Sequence, residues 1–288
     1  MSLHDLLIGN WTRLGDVAPD ALGSARLQAH FGLQVVAAAG KSLLKPRPDD
    51  SQTATGWLDR VHALVGDEIP GGLRVGLRIR DLRLLLLTKD GNDLASLALD
   101  GRTLESGIKW LTSQLAEETG TKDRPSIKRP DYEMPDHELG RGGTFGADAE
   151  TLGELARWYA NADRALQFVA AKERDALQVR CWPHHFDMAT LLNLDPYEPA
   201  EKARTIGVGM SPGDASYKQP YYYVTPWPYP DTDELPGLPS GGTWHRKGWT
   251  GAILTGSKLT SAASADRQVA MLTDFLDGAL AACKELHA

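Results

Sequence analysis

Two histidines and a carboxylate, His184, His185 and Asp187, fall within four consecutive positions of the segment CWPHHFDMATL (181–191). A carboxylate bonded to an imidazole fixes its tautomer and raises its basicity, as a general base requires. Which histidine meets Asp187 depends on the backbone. A strand puts His185 and Asp187 on one face, with His184 joining Phe186 and Met188 on the other. A helix begun at Pro183 makes His184 and Asp187 neighbours at i, i+3. The sequence leaves both open. The catalytic expectation is His184, His185 and Asp187 as an acid–base set, with Trp182 against the ligand. The bland alternative is a structural His–Asp hydrogen bond beside a Trp/Phe core. If a metal were held, His185, Asp187 and His245 would be its ligands. Neither H-E-x-x-H nor a Cys/His finger occurs, so no metal and no cofactor is expected.

The same half of the chain is crowded with aromatic residues. Four of the eight Trp and six of the eight Tyr lie between Trp182 and Trp249. In SPGDASYKQPYYYVTPWPYP (211–230), Pro then Gly at the second and third positions of Ser211-Pro212-Gly213-Asp214 spells a type II turn. It projects Asp214 beside Tyr217, either toward a ligand or into an Asx-turn on its own backbone. Pro220 opens a strand in which Tyr221 and Tyr223 share one face and Tyr222 and Val224 the other. With Trp227, Trp244 and His245 these rings are expected to line a cleft and stack on a sugar or planar ligand. The alternative is aromatic packing beneath proline-rich loops. Prolines at 226, 228 and 230 stiffen a strip that reads as a wall or as a docking surface. In Arg47-Pro48-Asp49-Asp50-Ser51, Arg47 and Asp50 are the further candidates for ligand contact, against the default of a solvated loop.

Absent motifs narrow the classes. No GxGxxG, GxxxxGK[ST] or DxDxDG occurs. The formal net charge is -7 and no Lys/Arg-rich run exists, so nucleic acid is not an expected partner. Two cysteines and no CxxC argue against a disulfide scaffold and a Cys-rich zinc site. The longest strongly apolar run, 84–87, is too short for a bilayer, and the first residues lack a secretory pattern. A cytoplasmic protein without a membrane partner is expected.

Elements must position these residues. Residues 1–23 read as a weakly ordered or capping segment. Ser24 caps a helix carrying Leu27, Phe31, Val35 and Ala38, which ends before Pro46. The stretch 45–57 reads as a polar loop. Leu73, Val75, Leu77 and Ile79 alternate with Arg74, Gly76, Arg78 and Arg80, the pattern of a half-buried strand. Strands at 82–88 and 94–99, turned at Asp90-Gly91, complete a meander. A helix over 103–119 shows Leu104, Ile108, Leu111 and Leu115 as a stripe. Residues 120–147 are a Pro/Gly-rich connection. Asp148 caps a long amphipathic helix; short strands follow near 177–182, 204–210, 219–225 and 249–254, then a helix with Val269, Leu272, Leu276, Ala279 and Cys283 on one face. Strands and helices in blocks predict an α+β fold, mainly antiparallel, with packed helices. The division expected is two similar-sized halves, 24–119 and 148–288, with 24–288 as one domain the alternative.

WPHHFDMATLL, TIGVGMSPGDASY and PYYYVTPWPYP, with PRPDDS near position 46, DYEMPDHEL (131–139) and LARWYANAD (155–163), resemble the hallmark segments of an uncharacterised bacterial domain-of-unknown-function family. The resemblance spans about 24–285 and implies one evolutionary unit. The family has no established activity and supplies no catalytic residues. The expected function is small-molecule binding or enzymatic, hydrolytic His–Asp chemistry in an aromatic-lined cleft. The rival is a structural or interaction protein, homo-oligomeric through the Pro/Trp strip.

Overall fold

The computed structural model describes residues 7, 9–120, 125–198, 202–231 and 234–287. Residues 1–6 and 8 of the N-terminal segment, and 121–124 of the 120–147 connection, lie outside the described residues. The fold is α+β: among the described residues the strands pair antiparallel and five α-helices are named beside them. The chain divides into two compact units that interleave along the sequence. One comprises Leu22–Ala156 and Arg180–Phe186; the other comprises Met1–Ala21, Arg157–Val179 and Asp187–Ala288. They are called the first and second unit below. The 120–147 connection belongs to the first unit, and the chain crosses to the second at 156/157, within a helix.

The first unit is built on helix α1, Gly23–Leu43. It is buried from Gln28 to Gly40, which is why its apolar residues run almost unbroken rather than in a stripe. Ser24 is not its cap. The helix grows out of a 3-10 turn, Pro19–Leu22, and Leu22 is already in the helical region with no side-chain cap. A chain that enters a helix from a helical turn has fewer orphan N–H groups to satisfy. The strands are β1 (Thr55–Leu58), β2 (Ala63–Gly66), β3 (Leu73–Arg78), β4 (Arg83–Thr88), β5 (Asp93–Ala98) and β6 (Arg180–Trp182), in the order β6-β1-β2-β3-β4-β5. Ile79 falls in a 3-10 turn rather than in β3, and Leu82 turns the chain at φ 46. β1 and a 3-10 turn at Ser51–Thr53 arise where a polar loop was expected. Helix α2, Leu104–Thr119, is capped by the Thr103 hydroxyl, which accepts from Ser106 N–H, and packs against α1, β4 and β5. Its stripe of Leu104, Ile108, Leu111 and Leu115 is buried.

Helix α3, Ala149–Lys172, begins at Asp148, whose carboxylate accepts from Glu150 N–H. Beyond 156 it belongs to the second unit. That unit's strands are β7 (Asp187–Asn193), β8 (Thr205–Ser211), β9 (Tyr221–Trp227), β10 (Thr243–His245) and β11 (Gly251–Thr255), in the order β10-β11-β9-β8-β7. A short helix α4, Gly256–Thr260, and the long α5, Ala265–Glu285, follow. α5 packs on β8, β9 and β11 with Val269, Leu272, Leu276, Ala279 and Cys283 buried. The N-terminal segment is pinned, not loose: Trp11 and Leu14 are buried, and Gln268, itself fully buried, bonds both. Among the described residues no helix is long and apolar enough to cross a membrane.

Candidate functional site

In the second unit, alternation along β9 sorts the aromatic residues. Tyr222 and Val224 are buried on the helix-covered side, where Tyr222 meets Trp158 of α3 with ring centroids 6.2 Å apart. Tyr221 and Tyr223 lie on the opposite face. The register sets Tyr223 across from Gly209 on β8 and Ile253 on β11. Gly209 is required there: a Cβ would come within 2.5 Å of the Tyr223 ring and hydroxyl and 2.8 Å of the Met188 carbonyl.

Each of these two tyrosines donates to a carboxylate from a different element. Tyr223 O–H donates to Asp187 Oδ2 at 2.5 Å, and Tyr221 O–H to Asp214 Oδ2 at 2.6 Å. Asp214 Oδ1 accepts from the N–H groups of Ser216 (2.7 Å) and Tyr217 (2.9 Å), so the Asx-turn forms and also holds a side chain. Gly213 sits at φ 107, as the third position of a type II turn demands. His245 Nε2 lies 2.8 Å from the Lys247 carbonyl, which can only accept, so that nitrogen carries the proton and Nδ1 accepts from Tyr217 O–H at 2.9 Å. Both ring nitrogens of His245 are thus occupied by protein, and a metal would have to displace one of them. The rings run on continuously: Tyr223, Tyr221, Tyr217, His245 and then Trp249, which stacks on His245 at 4.3 Å. Burial first, and the Asp214 charge second, hold the Tyr221 and Tyr217 hydroxyls above the ordinary tyrosine range, so both remain donors at neutral pH. Trp244 donates to the Pro236 carbonyl at 2.7 Å and braces a loop. Trp227 is exposed, edge-on to Tyr229.

In the first unit, WPHHF (182–186) is neither strand nor helix at its histidines. Residues 183–186 form a turn closed by Phe186 N–H on the Trp182 carbonyl at 2.7 Å, and β7 starts only at Asp187. Both periodicities weighed from sequence therefore fail at 184 and 185. The turn exposes His184 and His185, with ring centroids 4.2 Å apart, and Trp182 and Tyr132 sit edge-on to His184. A buried clamp from α1 holds it. The Pro183 carbonyl accepts from His30 Nε2 and from Gln34 Nε2, each at 2.9 Å. The His30 ring stacks face-on against Phe186, 5.2 Å away with 4° between planes. Phe186 has φ 59, the left-handed region that bulky residues avoid. Such strain persists only where surrounding contacts over-determine it. Tyr132 O–H completes the clamp by donating to Gln34 Oε1 at 2.5 Å. Arg47 and Asp50 have local partners: Arg47 bonds Asp67 at 2.7 Å, and Asp50 accepts from Gln52.

His30, Gln34 and Tyr132 were not anticipated as site residues. Two buried polar residues one turn apart, His30 and Gln34, within a largely apolar run were the available signal. Among the described residues no group of three or more His, Cys, Asp and Glu is arranged to hold a metal. Comparison with protein-family models, curated proteins and solved structures gave no match.

Proposed function

We propose that the protein binds a small polar molecule on the tyrosine face of the second unit, with Tyr221, Tyr223, Asp187 and Asp214 as its polar contacts. The observation that carries this reading is the paired arrangement on β9: two tyrosines on one face, each oriented by a carboxylate from another element. A carboxylate offers about four acceptor positions, of which Asp214 spends three on Tyr221, Ser216 and Tyr217, and adjoining rings offer flat apolar faces. That set suits a ligand rich in donors, a sugar-like polyol or an alkylamine. Saturation-transfer NMR with a panel of monosaccharides and alkylamines tests it. Tyr223→Phe keeps the ring and removes the hydroxyl, so binding should weaken about tenfold, the scale of one lost hydrogen bond to a charged group. Equal binding by the variant, or no binding by the wild type, overturns the reading.

A second reading, acid–base chemistry at His184 and His185, is favoured by the clamp beneath their turn. A buried His, a buried Gln and a left-handed Phe holding two exposed imidazoles suit a group that must be placed accurately. His184→Ala and His185→Ala, assayed against chromogenic ester and phosphate substrates, should lose turnover while keeping ligand affinity. Unchanged turnover removes both histidines. The interaction reading rests on exposed Trp227 and Tyr229, and Trp227→Ala in light scattering tests it. A cytoplasmic location without a cofactor completes the proposal.

A further inference from the structure

The first unit contains a cavity of about 320 Å³ whose lining shares Gln34 and Tyr132 with the clamp beneath His184 and His185. Its lining comes from α1 (Phe31, Gln34), the start of α2 (Leu104) and the extended segment carrying Arg129, Tyr132 and Met134. Phe31, Leu104 and Met134 give it an apolar body. Its polar side is fixed. Gln34, 3% exposed, gives its amide N–H groups to the carbonyls of His30 and Pro183 and accepts from Tyr132 O–H. The Tyr132 hydrogen is therefore used, and its oxygen faces a ligand only as an acceptor. Burial holds that hydroxyl well above the ordinary tyrosine range, so it stays uncharged.

The charge at the cavity is that of Arg129, which is exposed and makes no hydrogen bond or ion pair with any described residue. The neighbouring Asp131 pairs with Lys41 at 3.5 Å instead. A lone guanidinium beside an apolar hollow matches one planar carboxylate, which it can hold through two parallel N–H···O bonds. A phosphate dianion would call for a second cation, and the lining holds none. The volume falls at the low end of small-molecule sites, about 300–1,000 Å³.

We infer that this cavity is a binding site for a small organic acid with an apolar body, its carboxylate on Arg129 and its hydrocarbon against Phe31, Leu104 and Met134. It is independent of the tyrosine face of the second unit.

Calorimetric titration of the full chain with benzoate, 3-phenylpropionate and hexanoate, and with uncharged benzamide as control, tests the assignment. The acids should bind in the millimolar range or tighter, and benzamide about tenfold more weakly, the scale of a charge-assisted pair. Arg129→Met, which keeps the stem and removes the charge, should weaken the acids about tenfold and leave benzamide unchanged. Met134→Trp, which fills the hollow from an extended segment, should weaken acids and benzamide alike. Tyr223→Phe should change nothing here, which separates this site from the other. Absence of acid binding, equal binding of benzamide, or full affinity in Arg129→Met overturns the inference.

Discussion

At the scale of single residues, His30 carries the sharpest consequence. Burial disfavours its charged form and pushes its pKa down to about 4, outweighing the upward pull of the Pro183 carbonyl. In an unfolded chain the same imidazole takes a proton near its ordinary value of 6.5. The stabilisation is therefore complete above the unfolded value and is lost as pH falls from 6.5 to about 4. The loss over that window approaches about 3 kcal/mol, at roughly 1.4 kcal/mol per pH unit. His30→Gln retains a donor for Pro183 without a titrating group. Urea unfolding at pH 7.5 and pH 5 should show a larger drop for the wild type than for the variant; equal drops would place the acid sensitivity elsewhere. Sequence foretold some of this scale and not the rest. Asp214 was readable because Pro-Gly before an Asp prescribes both the turn and the Asx-turn that follows it. The clamp was not, because Pro183 lies 153 positions from His30 and Tyr132 lies 98 from Gln34, separations that periodicity cannot register.

At the scale of elements, legibility followed length and contrast. Strand β3 and helices α2 and α5 show sustained periodicity, and their stripes are the buried ones. β7 was missed although Met188, Thr190 and Leu192 alternate inward, because Ala189 and Leu191 are apolar on the other face and blur the contrast. β1 and β2 are four residues each and contain glycine, too little pattern to stand out from a loop. The turn at 183–186 defeated both periodic readings because its geometry comes from α1, not from its own sequence. Close approach between neighbouring strands yields the element-scale prediction. At Gly209 a methyl would collide with the Tyr223 ring at 2.5 Å and with the Met188 backbone carbonyl at 2.8 Å. The ring could rotate away, but the carbonyl belongs to the β7–β8 ladder and cannot yield without breaking register. Gly209→Ala should cost about 1–3 kcal/mol, the range for overpacking a filled site, and should break the Tyr223–Asp187 bond. Gly207→Ala is the control on the same strand: its Cβ would meet only the Thr225 carbonyl, at 3.9 Å. Denaturation of the pair should separate them clearly, and equal stability would mean that β7 and β8 can part without cost.

At the scale of the molecule, the chain is interleaved, so neither unit is a contiguous stretch of sequence. The N-terminal segment shows what that entails for the second unit. Trp11 Nε1 and Leu14 N–H both donate to Gln268 Oε1, at 3.1 and 2.9 Å, and Gln268 Nε2 returns a bond to the Leu14 carbonyl at 2.8 Å. Asn161 on α3 brackets Thr12 in the same way, accepting from its N–H at 3.1 Å and donating to its carbonyl at 2.7 Å. Gln268 and Asn161 are fully buried. Apart from a bond from Gln268 Nε2 to the Ala262 carbonyl at 3.2 Å, they are satisfied by a segment at least 149 positions away that threads between α3 and α5. A chain beginning at Leu22 would forfeit the burial of Trp11 and Leu14, worth about 2 kcal/mol each or more, and would strand two buried amides at about 1–3 kcal/mol apiece. The expected loss exceeds about 5 kcal/mol, comparable to the whole stability of an ordinary domain. The truncated chain should therefore lose hydrogen-exchange protection across β7, β8 and β9. The double variant Gln268→Leu, Asn161→Leu in the truncated chain should regain part of it, because no buried amide is then left unpaired. Full protection in the truncated chain would show that the N-terminal segment merely lies on the second unit instead of completing its core.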